Sequence, residues 1–434
     1  MILMAFRNLF RSKRRSLFLI IAFSFALGII LFSRYFASGT HEASIRQTVI
    51  LKSGYLQIAA NGYLENPSLE RAMDIRPEIF TTLESEGVFV YSRRVESAGL
   101  LSFNQSSKFV TIVGIDPERE TQITEIHRKM VEGKFFENKP SYLVEDGKTV
   151  YQIVMGKKLS QTLGLEIGSE IALVTGQFDG SVGAVLARVI GFYQADDTGL
   201  DFSTIFLPLD AAHKLFGTYS EEEGLDLATS IVIQAKDSHE AEKIKSRLKE
   251  KFPLPHLGEN EDRGRSNNYD PVLYDWQELN PGIIQLMNFD QAGTEISLFF
   301  IIFILAFGIL NIVQMAVFER RREFGILIAL GTARGRLFMT FLFEMFFLLL
   351  PGIFFGFSIG YGAGYYFYKN PILITGKDAE VFTTSGFAPI LKTSLTLSDT
   401  LFGILSLIIP VVLFIVLSSL KIFKINPREV ISER

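Results

Sequence analysis

Five histidines, His41, His127, His213, His239 and His256, stand singly along the chain. A helix-borne zinc site needs a His-Glu-x-x-His motif or a pair four residues apart, and neither occurs, so each histidine reads as packed or solvated. Asp196, Asp197 and Asp201 crowd one loop, but without the EF-hand spacing they read as a solvated acidic loop, and Glu221–Glu223 as surface. Gly156-Lys157-Lys158 and Gly376-Lys377 lack the earlier glycine and the following hydroxyl of a phosphate-cradling P-loop. The chain has no cysteine, which removes disulfides, thiolate metal sites and a thiol nucleophile. The reading is therefore of a non-catalytic chain with no catalytic residues, no metal site and no cofactor of its own. Any energy it uses must come from a partner.

The informative charges sit beside apolar runs. Glu319, Arg320, Arg321, Arg322 and Glu323 lead into Phe324-Gly325-Ile326-Leu327-Ile328-Ala329-Leu330-Gly331, followed by Arg334 and Arg336. On a helical wheel Phe324, Leu327, Ile328 and Gly331 share one face, while Arg321, Arg322, Gly325 and Ala329 share another. One reading is a short amphipathic helix, ending at Gly331, whose small residues suit close docking; the other is a basic loop flanking a membrane span. Further on, Glu344 interrupts an apolar stretch. A carboxylate facing lipid at a helix centre costs about 2.5–3.5 kcal/mol, so it is expected to face the protein interior, the short amphipathic helix before it or the headgroups, with Asn311 and Gln314 as plausible polar partners. After Pro351, Gly352, Gly356, Gly360 and Gly364 recur every fourth residue, a spacing that lets two helices approach closely. Packing within the chain and packing against a second subunit both satisfy it.

Four segments must position these groups: 16–36, 296–318, 337–368 and 400–420. Each supplies the ~20 apolar residues that a bilayer crossing needs. The first is too long for a signal-peptide core, although Ala37-Ser38-Gly39 follows it. The overall balance agrees, with 48% hydrophobic residues, 40 Phe and 21% charged residues: too apolar for an ordinary soluble chain and too charged to lie wholly in lipid. A net charge of −4 with no long basic tract argues against nucleic acid as a partner. Lys/Arg clusters precede the first span (Arg7, Arg11, Lys13, Arg14, Arg15), join the second to the third, and follow the fourth (Lys421, Lys424, Arg428). With four spans all three fall on one side, which the positive-inside rule makes the cytoplasm, with both termini.

The expected fold is thus an α-helical membrane protein with four transmembrane helices and a large mixed α/β extracytoplasmic domain, residues 37–295, inserted between helices 1 and 2. Residues 1–15 form a cytoplasmic interfacial helix, with Ile2, Leu3, Phe6, Leu9 and Phe10 opposite Arg7, Arg11 and Arg14. Residues 319–336 are the cytoplasmic connection, 369–399 an outer loop and 421–434 a cytoplasmic tail. In the outer domain, 54–58, 108–114, 170–175 and 187–193 read as strands, the last two joined as a hairpin through 176–181. Residues 211–216 and 239–252 read as helices. Two subdomains are expected, divided between Glu118 and Ser141.

The N-terminal MAFRNLFRSKRRS, the early Gly54-Tyr55-Leu56-Gln57-Ile58, the stretch ERRREFGILIALGTARGR, Glu344 with the glycine-rich third span, and Asn426-Pro427-Arg428 near the end resemble the FtsX/MacB-type ABC transporter permeases. Asp275-Trp276-Gln277-Glu278-Leu279 before the second span makes the chain most similar to their lipoprotein-releasing (Lol) branch. That resemblance implies a bacterial inner-membrane complex of two permease subunits and a cytoplasmic ABC ATPase dimer, which holds the ATP and magnesium. Residues 319–336 would be the coupling helix seated on the ATPase. The implied substrate is a lipoprotein passed laterally to a periplasmic carrier. Export of peptides, macrolides or toxins, or a mechanical relay to a cell-wall hydrolase, are the alternatives within the family. In the Lol branch one subunit carries a protruding hairpin that captures the carrier; the matching residues here, 175–183, are short and lack a proline-rich tip.

Overall fold

A computed structural model describes residues 13–136, 142–145, 147–195, 197–252, 270–384 and 388–425. The expected interfacial helix before Lys13 and the tail from Asn426 lie outside them. The chain divides into two compact units, one of residues 1–44, 285–379 and 387–434, the other of residues 45–284 and 380–386.

The first unit is helical. Four helices are long and apolar enough to cross a membrane: α1 Lys13–Thr48, α3 Pro281–Glu319, α5 Arg334–Lys369 and α6 Leu397–Ser419. Two shorter helices complete the set used below, α2 Leu209–Phe216 and α4 Arg321–Ala329. Three of the long helices overrun their expected spans. α1 continues past residue 36 to Thr48, and α3 begins at Pro281 rather than near 296. At 1.5 Å per residue the 36 residues of α1 extend about 54 Å, well beyond a ~30 Å hydrocarbon core. The overrun is polar enough to live in water, and His41 Nε2 on α1 meets Asp290 Oδ2 on α3 at 2.9 Å. α1 is the innermost helix: Phe23, Leu27, Ile30, Leu31 and Tyr35 are fully buried in the core it shares with α3, α5 and α6.

The second unit is the mixed α/β domain expected between the first two spans. Among the described residues its main sheet has eleven strands: β1 Leu56–Ala60, β2 Tyr91–Phe103, β3 Ser106–Ile115, β4 Met130–Gly133, β5 Tyr142–Glu145, β6 Lys148–Gly156, β7 Glu170–Gly176, β8 Val182–Tyr193, β9 Thr204–Pro208, β10 Ser230–Ile233 and β11 Pro271–Asp275. They run β11-β1-β10-β2-β3-β9-β6-β8-β4; β5 lies beside β6, and β7 bridges β8 to β2. β2 is long enough to change partners, pairing with β10 through residues 91–94 and with β7 through 100–102. Alternation fixes the faces: Val110 and Ile112 of β3, Leu173 of β7 and Val185 and Ala187 of β8 turn into one core with Leu215 and Phe216 of α2. The sheet joins strands from before and after residues 118–141, so the expected subdomain boundary does not divide it; residues 137–141 lie outside the described set.

The chain enters this unit through a π-helical turn, Val49–Ser53, closed by Gly54 N–H donating to the Val49 carbonyl at 2.9 Å. Gly54 has φ +64°, and a Cβ there would sit 2.5 Å from Val232 Cγ1, so glycine is required. Behind the turn Arg94 and Glu120 form a buried ion pair, with Nη2 2.5 Å from Oε1, and Arg94 Nη1 donates to the Lys52 carbonyl at 2.6 Å.

Candidate functional site

The expected site residues gather at the connection from α3 to α5. α3 ends at Glu319, Arg320 makes the bend, and α4 follows at once. Gly331 ends that helix in the left-handed region, φ +92°, where its N–H donates to the Ile328 carbonyl and that of Thr332 to the Leu327 carbonyl. Arg320 is the hub. Its Nη1 lies 2.7 Å from Glu344 Oε2, its Nε 3.3 Å from Glu323 Oε2, and its guanidinium carbon 5.3 Å from the centre of the Phe324 ring. Glu344, with 5% of its side chain exposed, therefore faces protein and is paired. A guanidinium suits this place because it stays charged and offers several planar donors. Phe324 is buried edge-on against Phe341 of α5, ring centres 6.3 Å apart.

The faces of α4 differ from the wheel expectation. Phe324 and Gly325 are buried and Ile328 is half-buried, so Gly325 sits with the inward face rather than with Arg321 and Arg322. Leu327 and Gly331, expected to share Phe324's face, are exposed, as are Arg322, Ile326, Ala329, Leu330 and Arg334. The reason is angular: positions 324, 325 and 328 cover one ~100° stripe, which the bundle occupies, leaving 322, 326 and 330 in an i, i+4 row outside. Leu330 is 77% exposed, an apolar tip beside arginines. Asn311 is exposed, and Gln314 Oε1 accepts from Lys421 Nζ at 2.9 Å, so neither partners Glu344.

The glycine stripe packs within the chain. A Cβ at Gly352 would meet the Phe23 ring at 2.9 Å, at Gly356 Leu27 Cβ at 2.8 Å, at Gly360 Leu31 Cβ at 2.8 Å, and at Gly364 the Tyr35 ring at 2.8 Å. Ser24 Oγ donates to the Gly352 carbonyl at 3.1 Å, sealing α1 against α5. Sequence reasoning passed over a second charged contact in this unit. Arg34 of α1 pairs with Asp399 of α6 at 3.3 Å and stacks 4.4 Å over Phe402. The signal was a lone arginine close to the end of an apolar run.

The candidates in the α/β unit have structural roles. Asp197 caps the helix Thr198–Ser203, and the buried Asp201 accepts from the Ala195 N–H at 2.7 Å; Asp196 and His256 lie outside the described residues. Among the described residues no three groups come together to hold a metal ion. His213 is buried, its Nδ1 2.9 Å from Thr218 Oγ1, and burial together with the Arg93 charge lowers its pKa to about 4, Asp226 opposing. The β7–β8 hairpin turn is folded down onto α2. Phe178 N–H donates to the Phe216 carbonyl at 2.8 Å, Gln177 Nε2 donates to the Lys214 carbonyl at 3.1 Å, and a Cβ at Gly183 would lie 1.9 Å from the Leu215 carbonyl.

Residues 295–427, which include α4 and the glycine stripe, match the FtsX-like permease C-terminal family. The expected resemblance and fold class are both borne out. Among curated proteins the chain is 24% identical, over 70% of its length and 68% of the relative's, to the lipoprotein-releasing system transmembrane protein LolC of Neisseria meningitidis. It is 20% identical to the LolC of Xylella fastidiosa over 77% of this chain and 74% of that one. It is 28% identical to the uncharacterized ABC transporter permease YknZ of Bacillus subtilis over 44% of its own length and 43% of that relative's. Among solved structures it is similar to the extracellular domain of YknZ from Gram-positive bacteria (15% identity, TM-score 0.33, covering 51% of this chain and 99% of that one). The periplasmic region of MacB from Actinobacillus actinomycetemcomitans also matches (15% identity, TM-score 0.32, covering 54% and 95%).

Proposed function

We propose that this chain is the membrane subunit of an FtsX/MacB-type ABC transporter in a bacterial inner membrane, and that it takes up the stroke of a separate cytoplasmic ABC ATPase dimer through α4. A second permease subunit completes the complex, ATP and magnesium belong to the ATPase, and both termini are cytoplasmic. The observation that carries this reading is the Arg320 hub. It ties the root of α4 to Glu344 inside α5 while Arg322, Ile326 and Leu330 stay outside. A push on the outer row of α4 therefore reaches α5 through a charged, buried contact, which resists displacement more than a surface pair would.

The cargo is a lipoprotein released towards a periplasmic carrier, a reading supported by the two LolC relatives. Because the β7–β8 turn is bonded down onto α2, it is not a free hook, so carrier docking falls to another surface or to the second subunit. The test is purification of the tagged full chain in mild detergent from its own host, with mass spectrometry of what accompanies it. An ATPase should co-purify, should be lost with Leu330→Glu, and should be kept with Leu373→Glu, an exposed change elsewhere. Equal recovery with both variants overturns the coupling assignment. Release of labelled lipoprotein from inner-membrane vesicles tests the cargo; an associated adaptor with no lipoprotein release would assign export instead.

A further inference from the structure

α5 presents two unlike surfaces. Where α1 packs, it offers glycine at every fourth position; on another face, between α5 and α6, it borders an open groove of about 310 Å3 lined by Met339, Leu342, Phe343, Phe346, Val412 and Val416 among wholly apolar walls. A second helix seated there would be expected to meet small residues or hydrogen-bonding side chains, the features that bring membrane helices together. Methionine, leucine and phenylalanine instead make an adaptable wall suited to a flexible chain. The α5 wall runs from Met339 to Leu349, a rise of about 15 Å, which is the depth of one leaflet of a ~30 Å hydrocarbon core.

The segments that flank the groove beyond Met339 and Val416 carry exposed basic residues. Arg336, exposed, stands one turn before Met339 on α5. The rings of Phe338 and Phe423 meet at 5.3 Å, which brings the short helix Leu420–Lys424 against the start of α5 with Lys424 exposed. We propose that the groove seats an acyl chain of an anionic glycerophospholipid, with its headgroup phosphate held by Arg336 and Lys424. The proposal requires only that the four helices cross a membrane; it is independent of any ATPase partner. Since each basic side chain at a membrane surface contributes modestly to binding an anionic headgroup, two together should favour an anionic over a zwitterionic lipid by roughly tenfold or more.

The full chain, purified in mild detergent, is incubated with phosphatidylglycerol or phosphatidylethanolamine of matched acyl chains and examined by native mass spectrometry. The expected result is about tenfold greater retention of phosphatidylglycerol. The surface variant Arg336→Gln/Lys424→Gln should lose that preference while keeping its thermal stability, and Val412→Trp, which fills the groove, should lose retention of both lipids. Equal retention of the two lipids by the natural chain, an undiminished preference in the double variant, or undiminished lipid on Val412→Trp would each overturn the proposal. So would efficient cross-linking of Met339→Cys in native membranes to a second polypeptide, since a protein would then occupy the groove. ATPase co-purification is scored in the same samples; its loss would bear on α4 and leave the lipid result standing.

Discussion

Gly360→Ala and Gly362→Ala should move stability in opposite directions, although the two residues stand two apart on one helix. In a helix interior alanine is favoured over glycine by about 1 kcal/mol, and both substitutions carry that gain. At Gly362 nothing lies within 4 Å of an added Cβ, so the gain stands. At Gly360 the new methyl would sit 2.8 Å from Leu31 Cβ, 3.0 Å from the Gly28 carbonyl oxygen and 3.3 Å from Gly28 Cα. These are backbone and branch-point atoms of a buried helix, not flexible side-chain tips. Forcing one methylene's worth of volume into such a contact costs about 1–3 kcal/mol, and the upper part of that range applies where neither neighbour can swing away. The net change is a loss of roughly 1–2 kcal/mol at Gly360 against a gain of about 1 kcal/mol at Gly362. Thermal unfolding of the purified full chain in one detergent, followed by far-ultraviolet circular dichroism, should separate the two variants by several degrees. Gly356→Ala should follow Gly360, because its Cβ would meet Leu27 Cβ at 2.8 Å and the Ser24 carbonyl at 2.9 Å. A Gly360→Ala protein as stable as Gly362→Ala would refute the packing of α1 on the stripe.

Three more outcomes follow from the structure. His213 has a folded pKa of about 4, below its ordinary 6.5, so its stabilising contribution is complete above about pH 6.5 and is lost as pH falls through 4. The full loss is about 3 kcal/mol; thermal unfolding between pH 7 and about 4.5 should show a steeper decline for the natural chain than for His213→Gln, and parallel declines would contradict the burial argument. Arg94→Met should destabilise the α/β unit by about 3–5 kcal/mol by stranding Glu120, and adding Glu120→Leu should recover most of it, as read by thermal unfolding and limited proteolysis. Equal instability of the single and double variants would remove the ion pair from the explanation. Because the natural chain lacks cysteine, single cysteines at Asp179 and Arg334 can be labelled cleanly in intact cells and inverted vesicles; labelling from the same side would defeat the proposed topology.

The four long helices and the inserted α/β domain were legible because each is a strong local pattern: long apolar runs, and strands bounded by turn residues. The β7–β8 hairpin was readable from Gly176 and Asp179-Gly180 between apolar strands, and the structure extends its second strand back to Val182. What local pattern could not give was which neighbour each face meets. Leu327 and Gly325 exchanged sides because the wheel gives angles around the helix but not which stripe a neighbour covers, whereas the bundle selects the stripe that Phe324 anchors against Phe341. Gln314 went to Lys421 rather than Glu344 because a closer cation was already available from Arg320. The overrun of α1 past residue 36 was hidden by its polar composition, which marks the end of lipid but not the end of a helix. The boundary expected between Glu118 and Ser141 does not divide the main sheet, because pairing across a sheet is non-local, and β2 alone reaches both β10 and β7.

The seam between α1 and α5 also sets an order of events during synthesis. The first helix leaves the ribosome long before its partner: Ser24 waits for Gly352, 328 residues later, and Arg34 for Asp399, 365 residues later. At about 5–20 residues per second that is an interval of tens of seconds, roughly 20–70 s. Throughout it Ser24 and Arg34 lack those two partners, and the whole α/β unit is made in between. The seam on the first helix is therefore completed only by the last stretch of chain to be made, after the whole α/β unit.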